Sequence, residues 1–483
     1  MNAFSSSDLI LALPEIYLAG AICVVLLFDL FFTRGSAART ATFTLAVLLV
    51  GAVLTWYTGP RNVRVTAFSG MYVADGLATL LKLAAFLFTA VAVFYGGPFL
   101  GRRALAKGEY YVLTLTMLLG VLVLASAASM LTIYIGVELL SLSLYALVAF
   151  DRDSGLAAEA AMKYFVLGAI ASGVLLYGMS ILYGITGTLD LALLSAQLPT
   201  HAQGSGAGLI LGLSFIVVAV AFKFGAVPFH MWVPDVYQGA PTSSAVLVAT
   251  VSKLASFAMV FRLVAEGLSG QSADWSQMFA ALAVISAVAG NVIAIAQTNL
   301  LRMLAYSAIA NVGFILFGFA AGSIQGYEAA LYYTLAYLVM TVAAFGVVML
   351  SSRDGFEADQ LDHYKGLASR DPLMAGVFAV VMFSTAGVPP FIGFWAKLRI
   401  IEALLASNLL WLAIIAVVAS VIGAFFYLRV VWLMYFEAPG ELPGASRGAA
   451  LRAVLAINGI AVLLLGVLPG GLLELCRQVI PGG

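Results

Sequence analysis

The run AFKFGAVPFHMWVPDVYQGAP occupies residues 221–241 and follows the apolar run GLILGLSFIVVAV without a polar break. It places Lys223 inside a hydrophobic segment, with Pro228 five residues later. A proline inside a helix removes one backbone donor and clashes with the carbonyl group four residues earlier. We therefore expect the helix that carries Lys223 to break just after this lysine.

The composition around this run is that of a membrane protein. The chain has 483 residues, of which 63% are hydrophobic and 10% are charged. Runs of about 20 apolar residues, the length that spans a bilayer as a helix, recur along it and predict an all-α polytopic membrane protein. We count fourteen spans, centred near Cys23, Leu48, Phe86, Leu118, Glu138, Ile170, Val217, Leu254, Ile285, Phe314, Tyr337, Ala386, Val418 and Leu464.

Several function classes have no support in the composition. The net charge is zero and no basic patch occurs, so we expect no binding of nucleic acid. Cys23 and Cys476 stand alone, whereas an iron–sulfur cluster needs about four clustered ligands. We therefore expect no redox centre, metal site or cofactor in this chain.

The charges of the loops predict the orientation of the spans. With the N-terminus outside, three basic residues fall in outward segments: Arg61, Arg64 and Arg477. Twelve fall in inward loops: Arg34, Arg39, Arg102, Arg103, Lys107, Arg152, Arg302, Arg353, Lys365, Arg370, Arg447 and Arg452. This positive-inside bias places both termini on the periplasmic side of a bacterial inner membrane.

Lysines occur within the spans, whereas arginines lie mostly in loops or at span ends. A charge at the bilayer centre costs roughly 2.5–3.5 kcal/mol. Burial readily makes a lysine release its proton, which an arginine effectively cannot do. The pattern favours proton exchange over anion binding. Five of the seven lysines are affected: Lys82, Lys163, Lys223, Lys253 and Lys397.

Polar residues at helical spacing accompany two charged residues within the spans, one acid and one lysine. One stripe surrounds a mid-span acid and consists of Tyr134, Glu138, Ser141 and Tyr145. A second stripe consists of Thr250, Lys253 and Ser256. Such stripes must face protein or water, either in a proton relay or as structural pairs between helices.

For Lys82, Lys163 and His230 as well, the sequence leaves open whether the role is proton transfer or structural. Asp75 lies seven residues before Lys82, so a structural salt bridge between them is at least as plausible as a functional role. Lys163 lies near one end of its span. His230 titrates near neutral pH and would suit a relay, but it could also be a satisfied polar residue at the helix break.

A second stretch resembles the first about 160 residues later. Pro389 and Pro390 interrupt a span, and Lys397 follows. The segments GAVPFHMW at 225–232 and AGVPPFIGFW at 386–395 read as one repeated motif. Broken helices at matching positions of two halves are typical of inverted-repeat transporters, in which the freed backbone lines a polar cavity.

Four segments carry a more specific resemblance. They are KFGAVPFHMWVPDVYQGAPTS at 223–243, GVELLSLSLYALVAF at 136–150, AAMKYFVLG at 160–168 and GFWAK at 393–397. In these segments the chain resembles the antiporter-like membrane subunits of respiratory complex I. The similarity covers nearly the whole chain and is strongest from Glu109 to Phe436.

The resemblance implies a fold of two inverted five-helix repeats, at 109–269 and 270–438. Three transmembrane helices precede them in 1–108, and one follows in 439–483. Six residues match the family's proton-transfer positions. Glu138, Lys223, Lys253 and Lys397 match the central ionisable residues, and Lys163 and His230 match positions on the same hydrophilic axis.

The resemblance also implies a function. It is that of a proton-translocating subunit of an NADH:quinone oxidoreductase, embedded in the bilayer beside other membrane subunits, including sister antiporter-like subunits. NADH, flavin, iron–sulfur clusters and quinone would belong to partner subunits. The nearest alternative is a subunit of a free-standing cation/proton antiporter. A transporter of organic solutes would need a substrate pocket, and four central charges disfavour a purely structural spacer.

The predicted topology can be tested with reporter fusions. We expect the loop from Glu357 to Arg370 to report a cytoplasmic location and both termini a periplasmic one, because the inward loops carry the excess of basic residues. A periplasmic signal from that loop would overturn the span assignment.

Overall fold

The computed structural model describes residues 6–32, 37–60, 63–103, 105–352, 356–439 and 448–480; at 6, 37, 102 and 199–205 it describes the backbone only. The described chain is a bundle of α-helices with one short antiparallel β-hairpin. This confirms the all-α fold class.

The helices fall into four groups along the chain. The first group is α1 (Ser6–Leu11), α2 (Leu13–Phe32), α3 (Ala37–Thr58), the hairpin β1 (Val65–Ala67) and β2 (Tyr72–Ala74), and α4 (Gly76–Arg102). The second group is α5 (Gly108–Ala125), α6 (Met130–Val148), α7 (Gly155–Thr186), α8 (Leu191–Phe224), α9 (Trp232–Gly239), α10 (Thr242–Ala249) and α11 (Val251–Val260).

The third group is α12 (Ser272–Ile295), α13 (Leu300–Ala320), α14 (Ile324–Ser351), α15 (Leu367–Arg370), α16 (Pro372–Ala386), α17 (Ile392–Ala406) and α18 (Leu410–Phe436). The last group is α19 (Ala449–Val467) and α20 (Gly470–Val479). The boundaries of the two repeats, at 109–269 and 270–438, stay a prediction.

The helices of the described residues follow the predicted spans. Thirteen helical segments are long and apolar enough to cross a bilayer. The fourteenth predicted span, centred near Ala386, consists of the two shorter helices α16 and α17 with the Pro389–Pro390 break between them. Thirteen of the fourteen predicted spans therefore correspond to helical segments of spanning length, and the fourteenth corresponds to a pair of shorter helices.

Burial separates central helices from peripheral ones. The segment that runs through α10 and α11, together with α13 and α14, is almost completely buried, whereas α2 and α19 bury about a quarter of their residues. A helix that is apolar on all sides belongs in the interior or in lipid. The central helices therefore form the core against which both broken spans pack.

Glycines allow the same close helix contact in both halves of the chain. A Cβ atom on Gly120 of α5 would lie 2.6 Å from the backbone nitrogen of Leu140 in α6. A Cβ atom on Gly290 of α12 would lie 2.6 Å from the backbone nitrogen of Ala310 in α13. Small residues at such crossings let two membrane helices approach closely.

One fully buried arginine ties the ends of several helices together. Arg262 lies in the π-helical turn Phe261–Glu266 and is 0% exposed. Its guanidinium donates to both carboxylate oxygens of Asp75 at 2.7 and 2.8 Å, and to the carbonyl of Ala125. It also pairs with Glu266, which pairs with Arg64. These bonds satisfy a charge that would otherwise be too costly to bury.

The expected pairing of Lys82 with Asp75 is wrong. Lys82 forms a salt bridge with Glu15 of α2 and donates to the hydroxyl of Tyr72 at 2.8 Å. Asp75 is not on the helical face of Lys82, because it is the N-cap of α4, with an extended backbone and a bond from the backbone nitrogen of Ala78. Lys82 is nevertheless ion-paired, in line with the structural alternative.

Asp75 makes this tie sensitive to pH. Burial raises the pKa of the Asp75 carboxyl, but the charge and hydrogen bonds of Arg262 outweigh burial and hold the pKa below its ordinary value. A carboxyl whose pKa is lowered by folding stabilises the protein above its ordinary pKa. That stability is lost as the pH falls through the lowered pKa.

Replacing Arg262 with methionine should destabilise the protein by about 3–5 kcal/mol, because it leaves the Asp75 carboxylate buried without a partner. Thermal unfolding in mild detergent measures the effect. Lys365→Met, which breaks the exposed pair with Asp362, is the matched control and should cost at most about 1 kcal/mol. Equal losses in the two variants would contradict the role given to Arg262.

Candidate proton-transfer site

The first helix break lies where the sequence predicts it. Helix α8 ends at Phe224, and Gly225 follows in the left-handed region at a φ of 75°. Residues 225–231 are not helical before α9 begins at Trp232. The positive φ suits glycine, so both Gly225 and Pro228 contribute to ending the helix.

The last carbonyl groups of α8 all have donors. The backbone nitrogen of Ala226 donates to the carbonyl of Ala221. The carbonyls of Phe222, Lys223 and Phe224 accept from Trp232, Ser256 and Lys253 respectively, at 3.1, 3.2 and 2.6 Å. A helix end leaves such carbonyls unpaired, and in the absence of water they must find partners in the protein. Residues of α9 and α11 therefore complete the broken helix.

Lys253 is the charged member of this set. It is 0% exposed, and its Nζ atom lies 5.4 Å from the centre of the Trp232 ring. Among the described residues, no carboxylate forms a salt bridge with it. Its partner is instead the carbonyl end of α8, where the helix dipole favours a cation.

Lys223 points toward α6. Its Nζ atom donates to the Oγ atom of Ser141 at 2.7 Å. Glu138 lies one turn earlier on α6, and its Oε1 atom is buried without a hydrogen-bond partner among the described residues. Among the described residues, Glu138 and Lys223 make no direct salt bridge, and Lys223 binds Ser141 of the same helix as Glu138 instead.

The second break repeats the arrangement of the first. Helix α16 ends at Ala386, and Gly387 follows at a φ of 92°. The Nζ atom of Lys397 donates to the carbonyl of Ala386 at 2.9 Å and lies 5.1 Å from the centre of the Phe314 ring. Lys397 is 8% exposed. As with Lys253, its partner is a helix end and an aromatic ring.

Lys253 and Lys397 thus share an environment that sequence spacing did not reveal. Each ammonium group binds the final carbonyl of a broken helix, and each faces an aromatic ring. Neutral partners of this kind stabilise a cation less than a carboxylate does. A proton can therefore leave these lysines without separating an ion pair.

Lys163 lies apart from these buried lysines. Its side chain is 43% exposed and forms salt bridges with Glu159 and with Asp235 of α9. Asp235 also binds Arg302 at 2.9 Å. Burial raises the pKa of Asp235, but the bonds from Lys163 and Arg302 outweigh burial and hold it below its ordinary value. These contacts tie α9 to α7 and α13.

His230 lies in the first break and is half-buried. Its Nδ1 atom is buried without a hydrogen-bond partner among the described residues, and its ring lies 6.4 Å from the ring of Tyr306. It makes no hydrogen bond to Lys223 or Lys253. The predicted role of His230 in a relay therefore stays a prediction.

A network of polar side chains in the second half of the chain was not predicted. The amide of Asn311 accepts from Tyr333 at 2.7 Å and donates to the carbonyl of Ser307. Ser307 and Tyr427 share a short hydrogen bond between their hydroxyl groups. These residues are uncharged and dispersed over three helices, so only their packing reveals the network. In the described part of the chain, no three His, Cys, Asp or Glu residues are grouped to hold a metal ion.

This chain is similar to several known proteins. Residues 127–423 match the family model described as NADH:quinone oxidoreductase/Mrp antiporter, TM. The chain is 49% identical over 477 residues to NADH-quinone oxidoreductase subunit N of Thioalkalivibrio sulfidiphilus, with 99% of each chain covered. It is 48% identical over 472 residues to subunit N of Acidithiobacillus ferrooxidans, with 98% of each covered.

Solved structures show the same fold. A chain of respiratory complex I from Thermus thermophilus with bound aureothin has a TM-score of 0.83 and 33% identity, with 96% of this chain and 99% of that chain covered. A chain of the Mrp complex from Dietzia sp. has a TM-score of 0.87 and 22% identity, with 98% and 97% covered. At 22% identity the second likeness shows the fold alone.

Both of these curated relatives are subunit N, and the similarity to each extends over nearly the whole of this chain. The chain therefore belongs to the NADH:quinone oxidoreductase/Mrp antiporter membrane family, in the group that contains subunit N of NADH-quinone oxidoreductase.

Proposed function

We propose that this chain is a proton-translocating membrane subunit of an NADH:quinone oxidoreductase. Its own residues move protons across the bacterial inner membrane, while NADH, flavin, iron–sulfur clusters and quinone belong to partner subunits, and this chain holds no redox centre. Sister antiporter-like subunits flank it in the bilayer. Both termini lie on the periplasmic side, as the loop charges favour.

The observation that supports this proposal best is the environment of Lys253 and Lys397. Both are buried in membrane-spanning regions, and among the described residues each donates a hydrogen bond to the carbonyl end of a broken helix and forms no salt bridge. A purely structural lysine in such a place would be expected to have a carboxylate partner, as Lys82 has in Glu15. The absence of an acid leaves the proton free to exchange.

Glu138 and Lys223 form the controlling pair of the proposed relay. While Glu138 is charged, it favours the protonated form of Lys223. When Glu138 is neutralised or turns toward the next subunit, that attraction is lost and the proton leaves Lys223. From there it moves through His230 and Lys253 to Lys397.

The magnitudes are compatible with this step. Moving one charge against about 200 mV costs about 4.6 kcal/mol. Two unit charges about 4 Å apart attract each other by about 4 kcal/mol at an effective dielectric constant of about 20. In this structure Lys223 donates to Ser141 and forms no salt bridge with Glu138, so the full effect requires the two charges to approach each other during turnover.

Replacing Lys223 with alanine should leave the complex assembled but lower its proton uptake per electron pair several-fold, because a methyl group cannot carry the proton. Lys223→Arg should fail as well, since arginine keeps the charge but does not release its proton. Proton uptake is measured in membrane vesicles during NADH oxidation. Lys365→Ala changes a lysine in an exposed ion pair and should behave as wild type.

Wild-type proton uptake in both Lys223 variants would contradict the proposal and reduce Lys223 to a structural residue. Recovery by arginine alone would also contradict it, because that result would mean that position 223 requires a fixed charge and not a transferable proton.

A further inference from the structure

A charged pocket lies at one end of the bundle, between the start of α14, the end of α17 and the terminal helix α20. Its volume is about 900 Å³, which is within the range of roughly 300–1,000 Å³ found for small-molecule sites. Its walls carry five charged side chains: Glu328, Arg399, Glu402, Glu474 and Arg477. The proposed proton relay uses none of them.

The pocket lies at the depth of lipid headgroups. A hydrogen bond between the hydroxyl groups of Ser407 and Ser323 joins the end of α17 to the start of α14 at one face of the bundle. At 1.5 Å per residue, Glu402 and Arg399 lie about 6 and 10 Å from the end of α17. Trp411, which is 54% exposed, lies in the first turn of α18 at the same face. Exposed tryptophans mark the interface between membrane and water.

Helix α20, one wall of the pocket, has the pattern of a helix that lies on the membrane surface. Its Glu474, Arg477 and Gln478 are exposed, whereas Cys476 is buried and Leu473 is partly buried. Its ten residues are too few to cross a bilayer. A short helix with one polar and one apolar face lies in the plane of the interface. The pocket is therefore open to the region where headgroups lie.

The charges of the pocket are only partly paired with one another. Arg399 forms an exposed salt bridge with Glu402 of its own helix. Glu328 is within electrostatic range of Arg399 and Arg477. Nevertheless, neither Glu328 nor Arg477 forms a salt bridge with another residue in the described part of the chain. Opposite charges that face each other across an open space leave room for a ligand that carries both signs.

The mixture of charges selects the chemistry of that ligand. The two arginines suit a phosphate group, which guanidinium binds through a planar fork. The three glutamates suit an ammonium group, whose hydrogens carboxylates accept, and disfavour a purely anionic headgroup. No aromatic side chain is among the described residues that line the pocket, whereas quaternary ammonium groups such as choline are bound by aromatic rings. A phosphate joined to a primary ammonium fits best.

We propose that this pocket binds a phospholipid of the phosphatidylethanolamine class. Its phosphate lies against Arg399 and Arg477, and its ammonium group lies against Glu328 and Glu474. The acyl chains extend over neighbouring apolar side chains such as Leu405, which is 48% exposed. The lipid thereby holds α20 against α14 and α17. With the proposed topology it belongs to the periplasmic leaflet, and the inference does not depend on the proton relay.

Photolabelling of the intact complex tests the site. The complex is placed in phosphatidylcholine nanodiscs that contain a small fraction of a phosphatidylethanolamine probe, with a diazirine on the acyl chain near the glycerol. Mass spectrometry then maps the labelled peptides. The label should be several-fold higher in 324–329, 399–405 and 470–477 than in 65–74, which lies on the same predicted side. An excess of unlabelled phosphatidylethanolamine should remove it, and phosphatidylglycerol should not.

Variants test the assignment of the charges. Glu328→Gln should lower the labelling several-fold, because the ammonium group loses a partner. Arg477→Gln, on the exposed face of α20, should do the same without a change in a membrane span. Glu328→Lys gives the pocket more basic than acidic groups, so phosphatidylglycerol should then compete better than phosphatidylethanolamine. Arg64→Gln is the matched control, because Arg64 is an exposed arginine in an ion pair outside the pocket, and should label as wild type.

Several results would overturn the proposal. Label spread evenly over the membrane-exposed surface would show that the pocket has no preference for lipid. Absence of label from the three segments would mean that a neighbouring subunit covers the pocket. Equal competition by phosphatidylglycerol in the wild type would refute the choice of headgroup, as would wild-type labelling in both Glu328→Gln and Arg477→Gln. Competition by free O-phosphoethanolamine at the same concentration would show that the ligand is a soluble molecule and not a lipid.

Discussion

The hydrogen bond from Lys253 to the carbonyl of Phe224 is the contact on which the rest of the first half depends. Pro228 and Gly225 end α8 within the membrane, where its last carbonyls have no water to bind. Lys253 satisfies one of them from α11, while Trp232 and Ser256 satisfy two others. The end of the broken helix is thereby completed by donors from two other helices, one of which is the buried Lys253. The same solution recurs at Ala386 and Lys397.

The buried charges fall into two classes, those paired with an acid and those bound to the end of a broken helix. Arg262 and Lys82 have carboxylate partners and join helices, whereas the partners of Lys253 and Lys397 in the described part of the chain are neutral. Losing the proton from an ion-paired lysine leaves its carboxylate uncompensated, which is strongly unfavourable. Losing it from a lysine at a helix end removes a weaker interaction. We therefore infer that the ion-paired residues stabilise the bundle, whereas the lysines without an acid partner exchange protons.

The sequence predicted the features that depend on local chemistry. Pro228 marked the first break, Pro389 and Pro390 marked the second, and apolar runs marked fourteen spans. The structure confirms both breaks and thirteen helical segments of spanning length. It could not predict contacts between distant helices. Asp75 pairs with Arg262, 187 residues away. The predicted pairing with Lys82 was wrong because an N-cap residue does not follow the helical face.

The candidate site was predictable only in part, because its contacts join helices that are distant in the sequence. The type and spacing of residues selected Lys253 and Lys397, but their binding of helix ends arises only from packing. Lys163 looked similar in sequence, yet it is half-exposed and ion-paired with Asp235. The hydroxyl groups of Ser307 and Tyr427 carry no charge and have no sequence signal, so the network that they form required the arrangement of three helices.

The most direct test of the central claim compares an unpaired buried lysine with a paired one. In membrane vesicles that contain the intact complex, proton uptake per electron pair is measured for Lys253→Met and for the double variant Lys82→Met/Glu15→Gln, which removes an ion pair without leaving a buried charge. The account predicts a several-fold loss for Lys253→Met and wild-type uptake for the double variant. Equal uptake in the two variants would contradict the claim that lysines without an acid partner carry the protons.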